Sequence, residues 1–427
     1  QGGMNTTMLG KQISFSSGSC LGGGSEINSG LYHYPDFNFL NEWKDKYDTK
    51  EISHEEVSFY VEETKKKLGI DFLDKEITYP ESLFLNGAKK IKFKSEKIPK
   101  LTSENDSGAT LKSSMSKTYL KNYFDNGGKI LENYEVKKVY YSNFKWHLIC
   151  EDIENKNIKI YKCKYLFICC GSIYTNQILL NSNLKKLNSK KTLKTFKFHP
   201  MFKAIACYDK KIQNQNADVH SCQVTEFYPN YILGNASSSL QFMLVNFPLD
   251  KKVYDLILNN WDKMTIFHST LSIGSGKLIP INFSKNSFIS SYEFNSEEEK
   301  KIIKAYKDMS RLIFATGAEY MIPISENSEL LNEESFEKFI TKKSFIDKIK
   351  ASSVHIMGGV TMGEKKNCVA DSFGKVNNYD NLYVNDSSLI NNNLLKNPQG
   401  TVMAIALRNI TNFMKKIIKM FKYIKFN

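Results

Sequence analysis

The clearest pattern of hydrophobic and polar positions lies in the segment YLFICCGSIYTNQILLNSNL. An apolar run from Leu166 to Cys170 is followed by Gly171, and apolar residues then recur at helical spacing between Thr175 and Leu180. The run predicts a buried strand, the glycine a tight turn, and the later spacing a helix. Such turns, at the carboxyl ends of parallel strands, are where nucleotides bind.

A second helix is predicted in SEEEKKIIKAYKDMSRLIFATGA, which runs from acidic to basic residues. Ser296 lies where an N-cap residue is expected, Glu299 follows three residues later, and Gly317 marks the carboxyl end. We therefore expect a capped helix that starts at Ser296 and ends at Gly317.

The last quarter of the chain combines a short strand with a long helix. In NLYVNDSSLI, the residues from Leu382 to Val384 predict a strand that ends at Asp386. Pro398 fixes φ just before QGTVMAIALRN, whose apolar residues recur at helical spacing. A helix is therefore predicted to begin immediately after Asn397.

His355, in SSVHIMGGVTMG, and Asn397 are the pair of side chains that alcohol oxidation needs. A histidine can remove a hydroxyl proton near neutral pH, and an amide can hold the alcohol oxygen because it both donates and accepts hydrogen bonds. Neither side chain can accept a hydride, so a redox cofactor is required. Taken alone, this block fits an ordinary strand and helix with a core histidine better.

The glycine run from Gly22 to Gly24 is a candidate ligand-binding loop. Residues without a β-carbon let backbone amides approach a ligand and adopt positive φ, and successive amides can cradle an anion. Ser25 and Asn28 follow at a spacing that suits the opening of a helix, where they could act as caps. A flexible loop is the alternative interpretation.

Four stretches, in order, resemble the glucose-methanol-choline (GMC) family of FAD-dependent oxidoreductases. They are GSCLGGGSEINSGLYHYP, LKSSMSKTYLKNYFDNGGKILENYEVKKV, YLFICCGSIYTNQILLNSNL and the terminal block that contains His355 and Asn397. The resemblance is closest to the long-chain alcohol oxidase and cholesterol oxidase branches. FKFHPMFKAIACY looks like the substrate domain of long-chain alcohol oxidases, where its His199 would shape the boundary between domains.

The resemblance implies an α/β fold, α+β overall, in which a Rossmann-like FAD-binding domain is interleaved with a substrate domain built on an antiparallel sheet with helices. For Gly171 and Asp386 the residues alone leave close packing and a strand-end turn as alternatives. Catalytic roles fall to His355 and Asn397, and FAD contacts to Gly22, Gly23, Gly24, Ser25, Asn28, Val136, Gly171, Asp386, Pro398 and Gln399.

One family element is not found in the sequence, namely the opening strand, GxGxxG turn and helix that hold the adenosine diphosphate part of FAD. The nearest match, Gly274-Ser275-Gly276, lacks the third glycine. We therefore expect an FAD-binding domain that is incomplete at its amino terminus and binds FAD weakly or not at all. The expected segments are residues 1–39, 110–195 and 351–427 for this domain, 40–109 for an insertion or lid, and 196–350 for the substrate domain.

The net charge of +14 first suggests a nucleic-acid ligand, but no nucleic-acid motif accompanies it. Neither the eight cysteines nor the seven histidines show metal-ligand spacing, and no apolar stretch is long enough to span a membrane. In the tail MKKIIKMFKYIKFN, Phe413, Ile417, Phe421 and Ile424 form an apolar stripe among lysines. The stripe fits a terminal helix packed on the cofactor domain, which we favour, or a peripheral membrane contact.

The expected function is FAD-dependent oxidation of an apolar, long-chain or sterol-like alcohol to an aldehyde or ketone by a cytoplasmic enzyme. Oxygen is one candidate electron acceptor. A dehydrogenase that passes electrons to a quinone or a protein is an alternative. A truncated, non-catalytic protein that binds lipid or a partner is another.

Overall fold

The computed structural model describes residues 4–72, 77–104, 110–213, 220–236, 238–246, 251–281, 288–342, 344–390, 392 and 394–424. In this part of the chain the fold is mixed α/β, as predicted. None of the described helices is both long enough and apolar enough to cross a membrane. The strands are β1 (Met4–Thr6), β2 (Leu9–Gly10), β3 (Ile13–Ser16), β4 (Ser95–Lys97), β5 (Thr102–Glu104), β6 (Thr110–Lys112), β7 (Tyr134–Ser142), β8 (Lys145–Asp152), β9 (Ile158–Cys163), β10 (Leu166–Ile168), β11 (Thr195–Phe198), β12 (Met201–Cys207), β13 (Cys222–Val224), β14 (Tyr231–Ala236), β15 (Met264–Leu271), β16 (Ser275–Pro280), β17 (Phe288–Glu293), β18 (Tyr320–Pro323), β19 (Ala351–Ser353), β20 (Ile356–Met357) and β21 (Leu382–Val384). The helices are α1 (Gly24–Ile27), α2 (Phe37–Tyr47), α3 (His54–Leu68), α4 (Tyr79–Lys90), α5 (Tyr119–Asp125), α6 (Ser172–Asn181), α7 (Leu240–Asn246), α8 (Lys251–Asn260), α9 (Ser296–Ala315), α10 (Glu333–Ile340), α11 (Phe345–Lys348) and α12 (Gln399–Ile424).

The main sheet has the strand order β1-β3-β19-β12-β15-β14-β13-β4, and β18 also pairs with β12. Its strands are antiparallel except for β3 and β19, which run parallel. Strands β12 and β15 are buried on both faces. The cluster that includes α4 and α9 covers one face, and the cluster that includes α7 and α8 covers the other. Strands β1, β3 and β19 of this sheet come from segments that the sequence assigns to the cofactor domain, whereas β12, β13, β14, β15 and β18 come from the segment that it assigns to the substrate domain. The sheet thus combines both predicted domains, and the domain boundaries stay predictions.

The helix predicted around residue 296 exists, but its cap is one residue earlier than expected. The Asn295 side chain accepts a hydrogen bond from the Glu298 N–H at 2.9 Å, and Glu298 accepts one from the Asn295 N–H at 2.8 Å. The sequence fits both registers of the capping box, and Glu298 also accepts from the Gly274 N–H at 2.8 Å, which favours the observed register. Gly317, at φ 91°, follows the end of the helix as predicted.

The predicted strand, turn and helix around Gly171 are confirmed as β10 and α6. Strand β10 pairs in parallel with β21, with Leu166 opposite Leu382. Phe167 of β10 stacks on Tyr383 of β21 at a centroid distance of 4.7 Å. A five-stranded sheet, β2-β17-β16-β11-β20, and a three-stranded sheet, β7-β8-β9, complete the main architecture of the described residues.

Helix α12 begins directly after Pro398, as predicted, and packs against this parallel pair. The Phe413 ring contacts the rings of Tyr165, Phe167 and Tyr383 at 5.0–5.3 Å between centroids. Phe413, the first residue of the predicted apolar stripe, is therefore packed against the rest of the protein, as the favoured interpretation of the stripe expects. The side chains of Phe421 and Ile424 lie outside the described ones, and a membrane contact by the tail stays a prediction.

Arg408 of α12 is a buried cation that joins three segments. Its guanidinium donates to the backbone carbonyls of Glu51 at 2.7 Å and Ser372 at 2.8 Å, and also to the carbonyl of Lys50. It lies 4.4 Å from the centroid of the Phe373 ring. Because the side chain is 1% exposed, water cannot replace these partners.

We expect Arg408→Met to lower the free energy of unfolding by at least about 3 kcal/mol, because it leaves several buried carbonyls without a donor. Urea unfolding followed by circular dichroism measures this loss. The matched control is Arg311→Met, since the Arg311 side chain is 56% exposed and pairs with Asp308. That change should lower stability by about 1 kcal/mol or less, and equal losses in the two variants would contradict the assignment.

Candidate active site

Two pairs of strands cross together from the main sheet into the five-stranded sheet. Strand β11 leads into β12 through His199-Pro200, and β19 leads into β20 through Val354-His355. On one side of the crossing Met201 lies opposite Ser352, and on the other side Phe198 lies opposite Ile356. This register aligns His199 with His355 at the crossing, which we call the strand junction.

The two histidines of the strand junction contact each other directly. The Nε2 atom of His199 and the Nδ1 atom of His355 form a hydrogen bond, and the rings meet edge to face at 86° with centroids 4.1 Å apart. The Nδ1 atom of His199 lies 2.7 Å from the carbonyl oxygen of Leu394. The Ser353 hydroxyl lies 3.4 Å from the His199 carbonyl oxygen and 3.1 Å from that of His355.

Burial keeps this group of histidines neutral. Desolvation, together with the neighbouring His199, His33 and His268, holds the pKa of His355 well below its ordinary value. Desolvation likewise lowers the pKa of His199 to about 4, that of His33 to about 4 and that of His268 to about 3. At neutral pH, His355 is therefore an uncharged imidazole that can accept a proton.

The glycine loop follows β3, which runs parallel to β19 with Phe15 opposite Ser353. Gly22 and Gly23 have positive φ values of 89° and 59°. A β-carbon at Gly23 or Gly24 would meet no atom within 4 Å, so this side of the loop is open. The open side is therefore accessible to a ligand.

The structure corrects the predicted capping roles of Ser25 and Asn28. Helix α1 is a single turn, its N-cap is Gly23 without a side-chain hydrogen bond, and Asn28 is its carboxyl-terminal cap. Other partners engage both side chains: the Ser25 hydroxyl accepts from the Met115 N–H at 2.9 Å, and the Asn28 amide nitrogen donates to Gln399. The sequence could not reveal these long-range partners.

The hydrogen bond between Asn28 and Gln399 joins the glycine-rich segment to the start of α12. Gln399 is two residues beyond Asn397, which is half-buried. Lys112 reinforces the connection because its ammonium donates to the backbone carbonyls of Glu26 at 2.7 Å and Asn28 at 2.9 Å. Among the described residues, the side chains of Asn397 and His355 share no hydrogen bond.

Gly171 and Asp386 meet at the carboxyl ends of β10 and β21. The Asp386 carboxylate accepts hydrogen bonds from the Gly171 N–H at 2.9 Å and the Thr175 hydroxyl at 2.5 Å. It also accepts from the Ser388 N–H at 2.8 Å and hydroxyl at 2.6 Å. Burial raises the pKa of Asp386, and these hydrogen bonds partly oppose the rise.

Val136 lies apart from these residues in the three-stranded sheet. It stands on β7 opposite Cys150, at a bulge between Val136 and Lys138. Its side chain packs on the same apolar cluster as Leu166 and Val384. The predicted residues therefore fall into connected groups: Gly22–Ser25, Asn28 with Gln399, Gly171 with Asp386, and His355 through His199 with the segment before Asn397.

Sequence reasoning missed three contributors to this region. The His-Pro pair of His199 predicts only a role at a domain boundary, not a contact with His355. Lys112 and His33 had no local signal, because a lone lysine or histidine in a polar segment resembles many others. The His33 Nε2 atom lies 3.0 Å from the Gln223 side-chain oxygen, and its neighbourhood is visible only after folding.

A cavity of about 440 Å³ opens on the other end of β19, beside Ala351. Charged side chains line much of it, including Lys11, Glu293, Glu326 and Lys350. It lies beyond the amino end of the strand whose carboxyl end carries His355.

Comparison with known proteins gives the family. The chain matches the GMC oxidoreductase family over residues 1–201, in its amino-terminal part, and 284–406, in its carboxyl-terminal part. The chain therefore belongs to the GMC oxidoreductases and is an oxidoreductase of this flavoprotein family.

Two individual proteins illustrate the similarity. The chain is 23% identical, over 96% of its length and 83% of the relative's, to the uncharacterised GMC-type oxidoreductase y4nJ of Sinorhizobium fredii. Its fold matches the crystal structure of pyridoxine 4-oxidase from Mesorbium loti with a TM-score of 0.74 at 11% identity, over 97% of this chain and 88% of the other. The long-chain alcohol oxidase and cholesterol oxidase branches remain a prediction.

The buried histidines predict a pH-dependent stability. His33, His199 and His268 have folded pKa values of about 4, 4 and 3, below the ordinary 6.5. The unfolded chain therefore binds protons that the folded chain does not, so stability is full above pH 6.5 and falls as the pH decreases toward the folded values. Each histidine should contribute a slope of about 1.4 kcal/mol per pH unit.

Urea unfolding at several pH values between about 6.5 and 5, above the range where most carboxylates titrate, measures this slope. His33→Gln keeps a polar side chain beside Gln223 and removes one titrating group. It should therefore reduce the slope by about 1.4 kcal/mol per pH unit, the contribution of one proton. A stability that stays constant across this interval would contradict the neutral, buried state of the histidines.

Proposed function

We propose that this chain binds FAD and oxidises the CH–OH group of an alcohol to an aldehyde or ketone, with His355 as the base. The observation that carries the proposal is the position of His355, a neutral and half-buried histidine that follows strand β19. Strand β19 pairs with β3, and β3 leads into the glycine loop. A non-catalytic role is less well supported, because it gives no reason for burying several neutral histidines against one another.

Three features of the residues fit a bound flavin nucleotide. The glycines at 22–24 offer an open backbone surface, and Gly171, at φ 78°, is also open on the side where a β-carbon would lie. Gly171 is the N-cap residue of helix α6, and no side chain caps this end, so the first amides of the helix are suited to a phosphate. The buried Nε2 of Gln399 has no hydrogen-bond partner within the described residues, as expected of a donor reserved for a ligand.

These features suggest how the predicted residues would share the cofactor. Gly22, Gly23, Gly24, Ser25 and Asn28 would form the loop beside it. Gly171, Asp386 and Val136 would form the nucleotide side, with Asp386 acting through the amide of Gly171 that it orients. Pro398 and Gln399 would complete the site at the start of α12. When bound, FAD supplies an isoalloxazine ring that accepts a hydride.

The chain's own residues would handle the alcohol oxygen and its proton. His355 would take the hydroxyl proton on a ring nitrogen while the Asn397 amide holds the oxygen. Removal of the proton leaves electron density on oxygen that forms the carbonyl double bond as the carbon-bound hydrogen departs with its electron pair. One proton and one hydride leave the alcohol, so charge is balanced.

The substrate class has two candidates. The branch resemblance favours an apolar, long-chain or sterol-like alcohol. A small polar alcohol is the alternative, because His33 and Gln223 form a polar pair among the buried residues near His355. Oxygen, a quinone or a protein would then reoxidise the flavin.

The first test is reduction of bound flavin by an alcohol under anaerobic conditions. His355→Gln should retain flavin, measured by visible absorbance, but lower the rate constant of reduction by at least about 100-fold, because the proton acceptor is lost. Asn397→Ala should lower the same rate constant. The control is His54→Gln, at the start of α3 and exposed, which should reduce at the wild-type rate. Unchanged reduction in His355→Gln would remove the histidine from its proposed role, and a chain that binds no flavin would remove the function.

The second test separates the substrate classes with one panel: a long-chain primary alcohol, a sterol in detergent, and pyridoxine. Faster flavin reduction by the first two supports an apolar substrate, since burial of apolar surface contributes to binding. Faster reduction by pyridoxine supports the polar alternative and rejects the apolar one. Reoxidation by oxygen, compared with reoxidation by a quinone, then identifies the acceptor.

A further inference from the structure

We propose that His199 is a positioning residue that fixes the tautomer of His355, so that the Nε2 atom of His355 faces the substrate as a bare proton acceptor. The inference rests on the proposed function, because it concerns the same base. It goes further by assigning which ring nitrogen acts and which side chain decides that.

The carbonyl oxygen of Leu394 can only accept a hydrogen bond. The His199 Nδ1 atom, 2.7 Å from that oxygen, must therefore carry the proton. A neutral imidazole has one N–H, so the Nε2 atom of His199 is an acceptor. Its partner, the Nδ1 atom of His355, must then donate. In neutral His355 this leaves Nε2 without a proton.

The neutral state of both rings follows from their environment. His199 is 1% exposed, so no water can exchange with Leu394 or His355 as its partner. Desolvation lowers the pKa of His199 to about 4, which keeps the ring uncharged through the neutral range. The direction of the two hydrogen bonds is therefore fixed rather than alternating.

The strand junction holds the geometry in place. Paired strands on both sides set the backbone positions of His199 and His355, and the Ser353 hydroxyl lies within 3.4 Å of both of their carbonyl oxygens. The accepting carbonyl of Leu394 precedes Asn397 by three residues. The hydrogen bonds therefore connect the base to the segment that carries the proposed amide.

A purely structural His199 would fill space between the two sheets, and its polar atoms would not affect His355. The two roles differ in one observable: the position of the proton on His355. Without a neighbouring acceptor that fixes the proton on Nδ1, a neutral imidazole is free to adopt either tautomer.

The experiment uses the full chain labelled with ¹⁵N-histidine, with NMR at neutral pH to read which ring nitrogen of His355 carries the proton. The signals of His355 are assigned by their loss in His355→Gln. Wild type should show a protonated Nδ1 and a bare Nε2. This readout needs neither flavin nor substrate, so it stays valid even if alcohol oxidation is not observed.

Two substitutions at residue 199 then separate the effect of its hydrogen bonds from the effect of its ring shape. His199→Phe keeps a ring but removes both hydrogen bonds, so the proton on His355 should redistribute to Nε2. In the flavin-loaded chain, the rate constant of anaerobic reduction should fall at least about tenfold, with alcohol affinity changed less than twofold. His199→Gln keeps one donor and one acceptor, so it should preserve the Nδ1–H tautomer and recover most of the rate.

The matched control is His147→Phe. His147 is also buried, and its ring stacks on Tyr140 at 4.7 Å in the three-stranded sheet, where a phenyl ring can replace it. This variant should leave the tautomer of His355 and the rate of reduction unchanged. If His199→Phe does not fold, the wild-type tautomer and His199→Gln still decide the question.

A protonated Nε2 on His355 in wild type would overturn the inference, and so would a His199→Phe variant that keeps both the tautomer and the rate. An Nδ1–H tautomer that depends on residue 199 supports it. If that dependence is found while alcohols fail to reduce the flavin, the positioning role stands and the proposed function fails.

Discussion

The structure depends above all on the strand junction, where two antiparallel strand pairs pass together from one sheet into another. Pairing of β11 with β20 on one side, and of β12 with β19 on the other, leaves little freedom at the crossing. His199 and His355 are brought together there although 156 positions separate them along the chain. Because β3 also pairs with β19, the glycine loop is anchored to the same element.

Desolvation is the second constraint: it acts against stability and sets the protonation state of the proposed base. Burying several histidines close together keeps each ring neutral, because any charge would be poorly solvated and would repel the next. The apolar clusters on both faces of the main sheet must offset this unfavourable environment. A neutral imidazole is also the form that can accept a proton, so stability and the proposed reactivity depend on the same burial.

The carboxyl-terminal helix connects the separate parts of the site. Its first turn receives the hydrogen bond from Asn28, its middle carries Arg408 to the backbone of residues 50, 51 and 372, and Phe413 packs on the parallel strand pair. Each contact joins α12 to a different segment of the chain. The helix thereby sets where Asn397 lies relative to the glycine loop and the strand junction.

The sequence by itself determined the local elements: the strand before Gly171, the helix after Pro398 and the short strand at 382–384 all follow from apolar spacing and from proline and glycine geometry. It also determined the family, because four stretches that resemble family motifs occur in the expected order along the chain. It placed the cap of α9 one residue late, since Asn295 and Ser296 satisfy the same local rule and only the contact of Glu298 with Gly274 separates them. Only the tertiary structure decided that the Asn28 side chain contacts Gln399 rather than capping the start of a helix, and that His199 contacts His355. Strand register and burial select these partners. They act between residues that are 156 and 371 positions apart and leave no periodic pattern in the sequence.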